Sequence, residues 1–169
     1  MNLATYRVET TRTLPDLGSL VTNSLHMTAG IMTELIEIIH IESYLKNFDK
    51  RMTDECGDIL WYISNYANLH NIELEFKPVP SGRSHIQSAG KLLDMDKKAL
   101  AYNKPYDIAV QAETLNFLTN DILYMVSSYY LDIEIVLEKN IEKLRVRFPE
   151  KFSGDQAINK DESKESDVF

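Results

Sequence analysis

Between Met27 and Asn68 the chain carries two acidic pairs, Glu34-x-x-Glu37 and Glu55-x-x-Asp58, each spaced so that both carboxylates lie on one helix face. At about 100° per residue, Glu34 falls among Met27, Ile31, Ile38 and Ile41, inside the apolar stripe of its helix. Charge at such a position is unfavourable unless something compensates it. On the next helix Glu55, Asp58, Tyr62 and Asn65 share a face of about 80°, flanked by Met52, Ile59 and Ile63. Antiparallel packing of the two helices would bring four acids to the edge of one core. Mutually repelling carboxylates require protons, basic partners or a divalent cation. A ligand set made only of oxygen points to Mg²⁺ or Mn²⁺ rather than zinc.

The rest of the chain reads as helix as well. The opening residues 1–18 are polar, contain Pro15 and Gly18, and show no clear period, so they are expected to form an irregular arm. Helices are expected from about Ser19 to Lys46 and from Arg51 to Asn71, with Gly30 weakening the middle of the first. The segment from Phe76 to Gly82, rich in proline, is the strongest break. Further helices are expected over Ser84–Tyr102, Asp107–Tyr130 and Asp132–Arg147, ended by Pro149 and Gly154. No stretch has the alternation of a convincing strand. The expected fold is all-α, a helical bundle forming a single domain over residues 1–153. Residues 154–169 are acidic and poor in apolar groups, so no fixed structure is expected there.

Composition narrows the possible partners. A formal charge of −8 argues against a broad nucleic-acid-binding surface or a polybasic membrane contact. No apolar run approaches the roughly 18 residues of a membrane span, and no signal peptide opens the chain. The single cysteine, Cys56, excludes an intramolecular disulfide and a cysteine-cage zinc site. The expectation is a cytoplasmic protein that binds neither nucleic acid nor membrane.

The sequence also repeats itself. Ala29-Gly30 through Glu37 resembles Ala89-Gly90 through Lys97, and the stretch Tyr44 to Asp49 resembles Tyr102 to Asp107. Gly57-Asp58-Ile59-Leu60-Trp61 resembles Asn120-Asp121-Ile122-Leu123-Tyr124. Three blocks in the same order favour duplication of a two-helix unit, with copies at about 26–71 and 85–131. The copies differ in chemistry: Glu37 is matched by Lys97 and Glu55 by Leu118. Only the first copy keeps the full acidic set. Asp94 and Asp121, at the places equivalent to Glu34 and Asp58, are expected to be structural acids, partners of Lys97 or helix caps.

These residues resemble the all-α nucleoside triphosphate pyrophosphohydrolases, the MazG-like group. The resemblance rests on His26-x-x-x-Gly30-x-x-Thr33-Glu34-x-x-Glu37, on Glu55-Cys56-Gly57-Asp58-Ile59-Leu60-Trp61, and on an ending that runs from Asn140 through Lys143 and Arg147 to Pro149, similar to phage-type members. The tandem layout is similar to that of dimeric dUTPases. The resemblance implies hydrolysis of a (deoxy)nucleoside triphosphate, with dNTPs favoured, to the monophosphate and pyrophosphate with Mg²⁺ or Mn²⁺. It implies Glu34, Glu37, Glu55 and Asp58 as metal ligands, with Glu37 the base for water. Asn65, Lys143 and Arg147 would be the substrate-binding residues, the last two presenting cations at i and i+4. A homodimer or homotetramer is the expected assembly, and the cytoplasm of a phage-infected bacterium is one setting.

Other readings compete. A di-iron carboxylate bundle would use Glu37-x-x-His40, but no second Glu-x-x-His occurs in the chain. A non-catalytic helical module that binds a partner is the other alternative, and the complete acidic set argues against it. His26 is expected to pack or hydrogen-bond, Trp61 and the tyrosines to fill core, Cys56 to be a small buried group and Lys50 an ordinary surface lysine. Nothing in the sequence names a base, so removal of damaged nucleotides, dUTP hydrolysis and remodelling of a dNTP pool all stay open.

Overall fold

The computed structural model describes residues 1–42, 47–77 and 84–169. The helix end expected at Lys46, the first three residues of the Tyr44 repeat block, and residues 78–82 of the expected break lie outside them. Among the described residues there is no strand, and the chain is all-α. No helix among them is long and apolar enough to cross a membrane.

The helices are α1 (Leu3–Thr10), α2 (Leu20–Glu42), α3 (Phe48–His70), α4 (His85–Tyr102), α5 (Ile108–Ser128), α6 (Ile133–Arg147), α7 (Gly154–Ile158) and α8 (Glu162–Ser166). Short polar side chains start several of them by accepting orphan backbone N–H groups. Asn2 accepts from Thr5, Asp107 from Val110 and Asp132 from Glu134. Asn71 and Asn103 end α3 and α4 in the left-handed conformation that asparagine tolerates better than most residues. The helix α2 packs on α3 and on α4, while α5 closes the ring by packing on both α3 and α4. The two hairpins α2–α3 and α4–α5 correspond to the two repeat copies. Helix α6 lies along α3, and α1 packs against both.

The core of the bundle is the apolar stripe read from the sequence. Met27, Ile31, Leu35, Ile38 and Ile41 of α2 meet Met52, Ile59 and Ile63 of α3, all at most 1% exposed. Burial of this kind contributes about 1.5–3 kcal/mol per large apolar side chain. Gly30 does not interrupt α2, because it has a packing role: a Cβ there would lie 2.3 Å from the ring of Tyr62. The absent side chain lets the Tyr62 ring lie against α2.

The amino-terminal segment differs from its expected irregular form. It makes α1 and a 3-10 turn at Thr11–Thr13. Burial supplies what periodicity did not: Tyr6 is 0% exposed, and its hydroxyl lies 3.0 Å from the Gly57 carbonyl and 2.7 Å from Asn140 Oδ1. The segment after α3 has no regular structure among its described residues, and its amides donate to side chains. Glu75 N and Lys77 N donate to Asn116 and Asn120 of α5.

Candidate functional site

Helices α2 and α3 bring Glu34, Glu37 and Glu55 together, with one carboxylate oxygen of each lying within 4.8 Å of the others. The three line a cavity of about 400 Å³ that Lys50, Lys143, Arg147 and Lys160 also line. Glu34 and Glu55 are hydrogen-bonded to each other. Burial raises both, and Glu55 is pushed up to about 9 while Glu34 rises to about 7. The pair therefore favours a bound proton, with the hydrogen bond between them raising Glu55 and lowering Glu34. Two carboxylates so placed want either that proton or a cation. The set is oxygen-only, which fits Mg²⁺ or Mn²⁺.

Asp58, the fourth expected ligand, belongs to a different arrangement in the same cavity. Both of its oxygens lie 2.6 Å from Lys143 Nζ, and its Oδ1 also accepts from Asn140 Nδ2 at 2.7 Å. Lys143 reaches Asp54 as well, at 2.5 Å, and is 3% exposed. Burial opposes the charge on Lys143, but Asp58 and Asp54 outweigh it and hold the ammonium well above its usual range. Lys143, expected to meet substrate, is thus the buried counter-ion of two aspartates. Asn140 and Asp54, absent from the expected set, complete this network. Gly57 makes it possible, since a Cβ there would lie 2.8 Å from Asn140 Cβ. The closeness of α3 and α6 at that point is a tertiary fact that no spacing in the sequence states.

Asn65 lies outside the cavity. It is 0% exposed, and its amide donates to the carbonyls of Trp61 at 3.2 Å and Thr10 at 3.4 Å, tying α3 to α1. Its face on the wheel is shared with Glu55 and Asp58, but α1 covers that end of the face. Arg147 does line the cavity, with its guanidinium bound through two nitrogens to the Glu165 carboxylate. Lys50, read as an ordinary surface lysine, lines the cavity too and donates to Ser166 O at 2.6 Å and Oγ at 2.8 Å.

Glu165 and Ser166 belong to the tail for which composition led to no expectation of fixed structure. Here residues 154–169 include α7 and α8, and Glu165 is 6% exposed. Ionic and hydrogen-bonded contacts hold α8, while Ala157 of α7 packs at the edge of the core. A reading of tails by apolar content misses such contacts.

A second cavity of about 170 Å³ adjoins the first and shares Asp58, Tyr62 and Arg147 with it. Its walls include His26, Trp61, Phe148 and Phe152. Trp61 donates its Nε1–H to Thr13 at 3.0 Å, and His26 packs edge-on against Tyr62 at 5.9 Å between ring centres. His26 thus packs as expected, and burial lowers its pKa. Cys56 is buried with its thiol pushed up to about 12 by burial, an inert apolar group in this setting.

The second copy has no comparable cluster among the described residues. Asp94 is half-buried and paired with Lys97 at 2.7 Å and with Lys98, the structural partnership with Lys97 expected of it. Leu118 is 0% exposed and is core. The buried acid of this half is Asp96, two residues on, which accepts from Thr28 at 2.7 Å, Tyr106 at 2.9 Å and Tyr66 at 3.2 Å. Three hydroxyl donors serve there in place of a cation.

Comparison with protein-family models, with curated proteins and with solved structures gives no significant match for this chain.

Proposed function

We propose that the chain is a metal-dependent nucleoside triphosphate pyrophosphohydrolase, cleaving the α–β anhydride to release a monophosphate and pyrophosphate. The observation that supports this reading most is that Glu34, Glu37 and Glu55 meet in a cavity also lined by Lys50, Lys143, Arg147 and Lys160. A polyphosphate needs both: cations of the protein on its oxygens, and carboxylates to hold the metal that accompanies it. The resemblance of the two acidic boxes to the MazG-like group points the same way.

In this reading Glu34, Glu37 and Glu55 hold Mg²⁺ or Mn²⁺. The ion would neutralise charge on phosphate oxygens and lower the pKa of water. Arg147 receives phosphate oxygens through its planar fork. The water adds to the α-phosphorus, its proton passes to a Glu37 carboxylate oxygen, and the α–β bridging oxygen leaves with the pyrophosphate. Lys143 acts indirectly, fixing Asp54 and Asp58 beneath the site. The aromatic cavity beside Arg147 offers the apolar walls that suit a nucleobase. A deoxynucleotide substrate and a homo-oligomeric assembly belong to the same proposal.

Pyrophosphate release measured across all dNTPs and NTPs with Mn²⁺ or Mg²⁺ tests it. Turnover of at least one nucleotide is expected, falling at least a hundredfold in Glu34→Gln with helicity intact. No release from any nucleotide, or full activity in the variant, rejects the reading.

A further inference from the structure

Three cations line the larger cavity besides buried Lys143, and all three are held by one short element. Lys50 Nζ donates to Ser166, Arg147 binds Glu165, and Lys160 pairs with Glu162 at 3.2 Å. The three partners lie within α8, the five residues Glu162–Ser166. They come from different parts of the chain's fold: Lys50 from the first turn of α3, Arg147 from the end of α6, and Lys160 from the link before α8. A helix with few apolar groups is thereby docked by its anionic and hydroxyl oxygens, in the manner of an anionic ligand. Of these three cations, Arg147 alone is expected from the sequence to bind substrate.

We infer that Lys50, Arg147 and Lys160 form the polyphosphate-binding wall of this cavity, and that α8 is its built-in occupant, displaced when a polyphosphate enters. The inference rests on the reading that the cavity takes a polyphosphate. Glu165 presents two oxygens to the guanidinium, as a phosphate would. Ligand and helix cannot both hold Arg147, so the apparent affinity is the intrinsic affinity reduced by the fraction of molecules with α8 undocked. Lys160 precedes α8 in the chain and is kept in a chain ended at Asp161. The helix therefore competes with the ligand for the cations it pairs with.

Calorimetric titration with inorganic tripolyphosphate and Mg²⁺ tests this without turnover, in the intact chain, Glu165→Gln, and a chain ending at Asp161. A helix docked nine-tenths of the time predicts roughly tenfold tighter binding in Glu165→Gln and in the shortened chain. Lys50→Ala, introduced into the shortened chain to separate its two roles, is expected to weaken binding severalfold. Binding that is equal or weaker once α8 is removed, an unaffected Lys50→Ala, or no binding of tripolyphosphate by any form overturns the inference. Nucleotide hydrolysis is scored separately. Tighter tripolyphosphate binding without hydrolysis of any nucleotide would sink the proposed reaction and keep the displaced helix; hydrolysis with no effect of α8 on binding would do the reverse.

Discussion

Glu34 and Glu55 are hydrogen-bonded to each other between α2 and α3, so their behaviour with pH follows from burial and mutual repulsion. Both titrate above the ordinary glutamate value of 4.5, at about 7 and about 9. A group raised in this way favours the fold below its unfolded pKa, and that contribution is lost as the pH rises through the folded value. In the absence of divalent cations, the melting temperature is therefore expected to fall between about pH 5 and pH 9. The fall should be smaller in Glu55→Gln, which keeps the hydrogen bond without a charge to create. Mg²⁺ or Mn²⁺ should restore stability at the alkaline end, where it competes with the fewest protons. A melting temperature that is flat with pH, or an identical profile in the variant, would contradict the raised pKa values of this pair.

At the scale of the helices, the two glycines that open the repeat blocks do opposite things. Gly30 stands against Tyr62, with ring atoms 2.3–2.6 Å from where a Cβ would be. Gly90, its counterpart on α4, has only Met32 Cε near, at 3.8 Å, an ordinary contact. Helix propensity alone favours alanine at both by about 1 kcal/mol. At position 30 the clash outweighs it, because the ring must move, and overpacking of this kind costs about 1–3 kcal/mol. Denaturant midpoints should therefore fall for Gly30→Ala and rise for Gly90→Ala. Stabilisation by both substitutions would mean that Tyr62 moves freely and that the close approach has no structural weight.

Across the whole molecule the two hairpins are alike in helices and unlike in chemistry. The first carries three acids that share one point in space; the second carries Asp94 on the surface beside Lys97 and Lys98, and Asp96 inside among hydroxyls. A single metal-binding centre per chain is the expectation. Calorimetry with Mn²⁺ should show binding lost in Glu34→Gln and unchanged in Asp94→Asn. Asp94 is too exposed for its ion pairs to matter much to stability, since water screens them. Equal loss of Mn²⁺ in both variants would point to two working centres.

The sequence alone determined the all-α fold and most helix limits, because a 3.6-residue apolar period and the capping residues Asp107 and Asp132 are local signals. It also determined which acids could meet: Glu34 inside an apolar stripe is a local anomaly that calls for a partner, and Glu37 and Glu55 lie on faces set by the same geometry. The partners of charged groups were decided elsewhere. Spacing placed Lys143 and Arg147 on one face of α6, but only the close approach of α3 at Gly57 commits Lys143 to Asp54 and Asp58. The covering of Asn65 by α1 and the docking of Glu165 on Arg147 are likewise contacts between segments far apart in sequence. An ion pair needs two groups at one place, and periodicity along a single helix fixes the direction of only one of them.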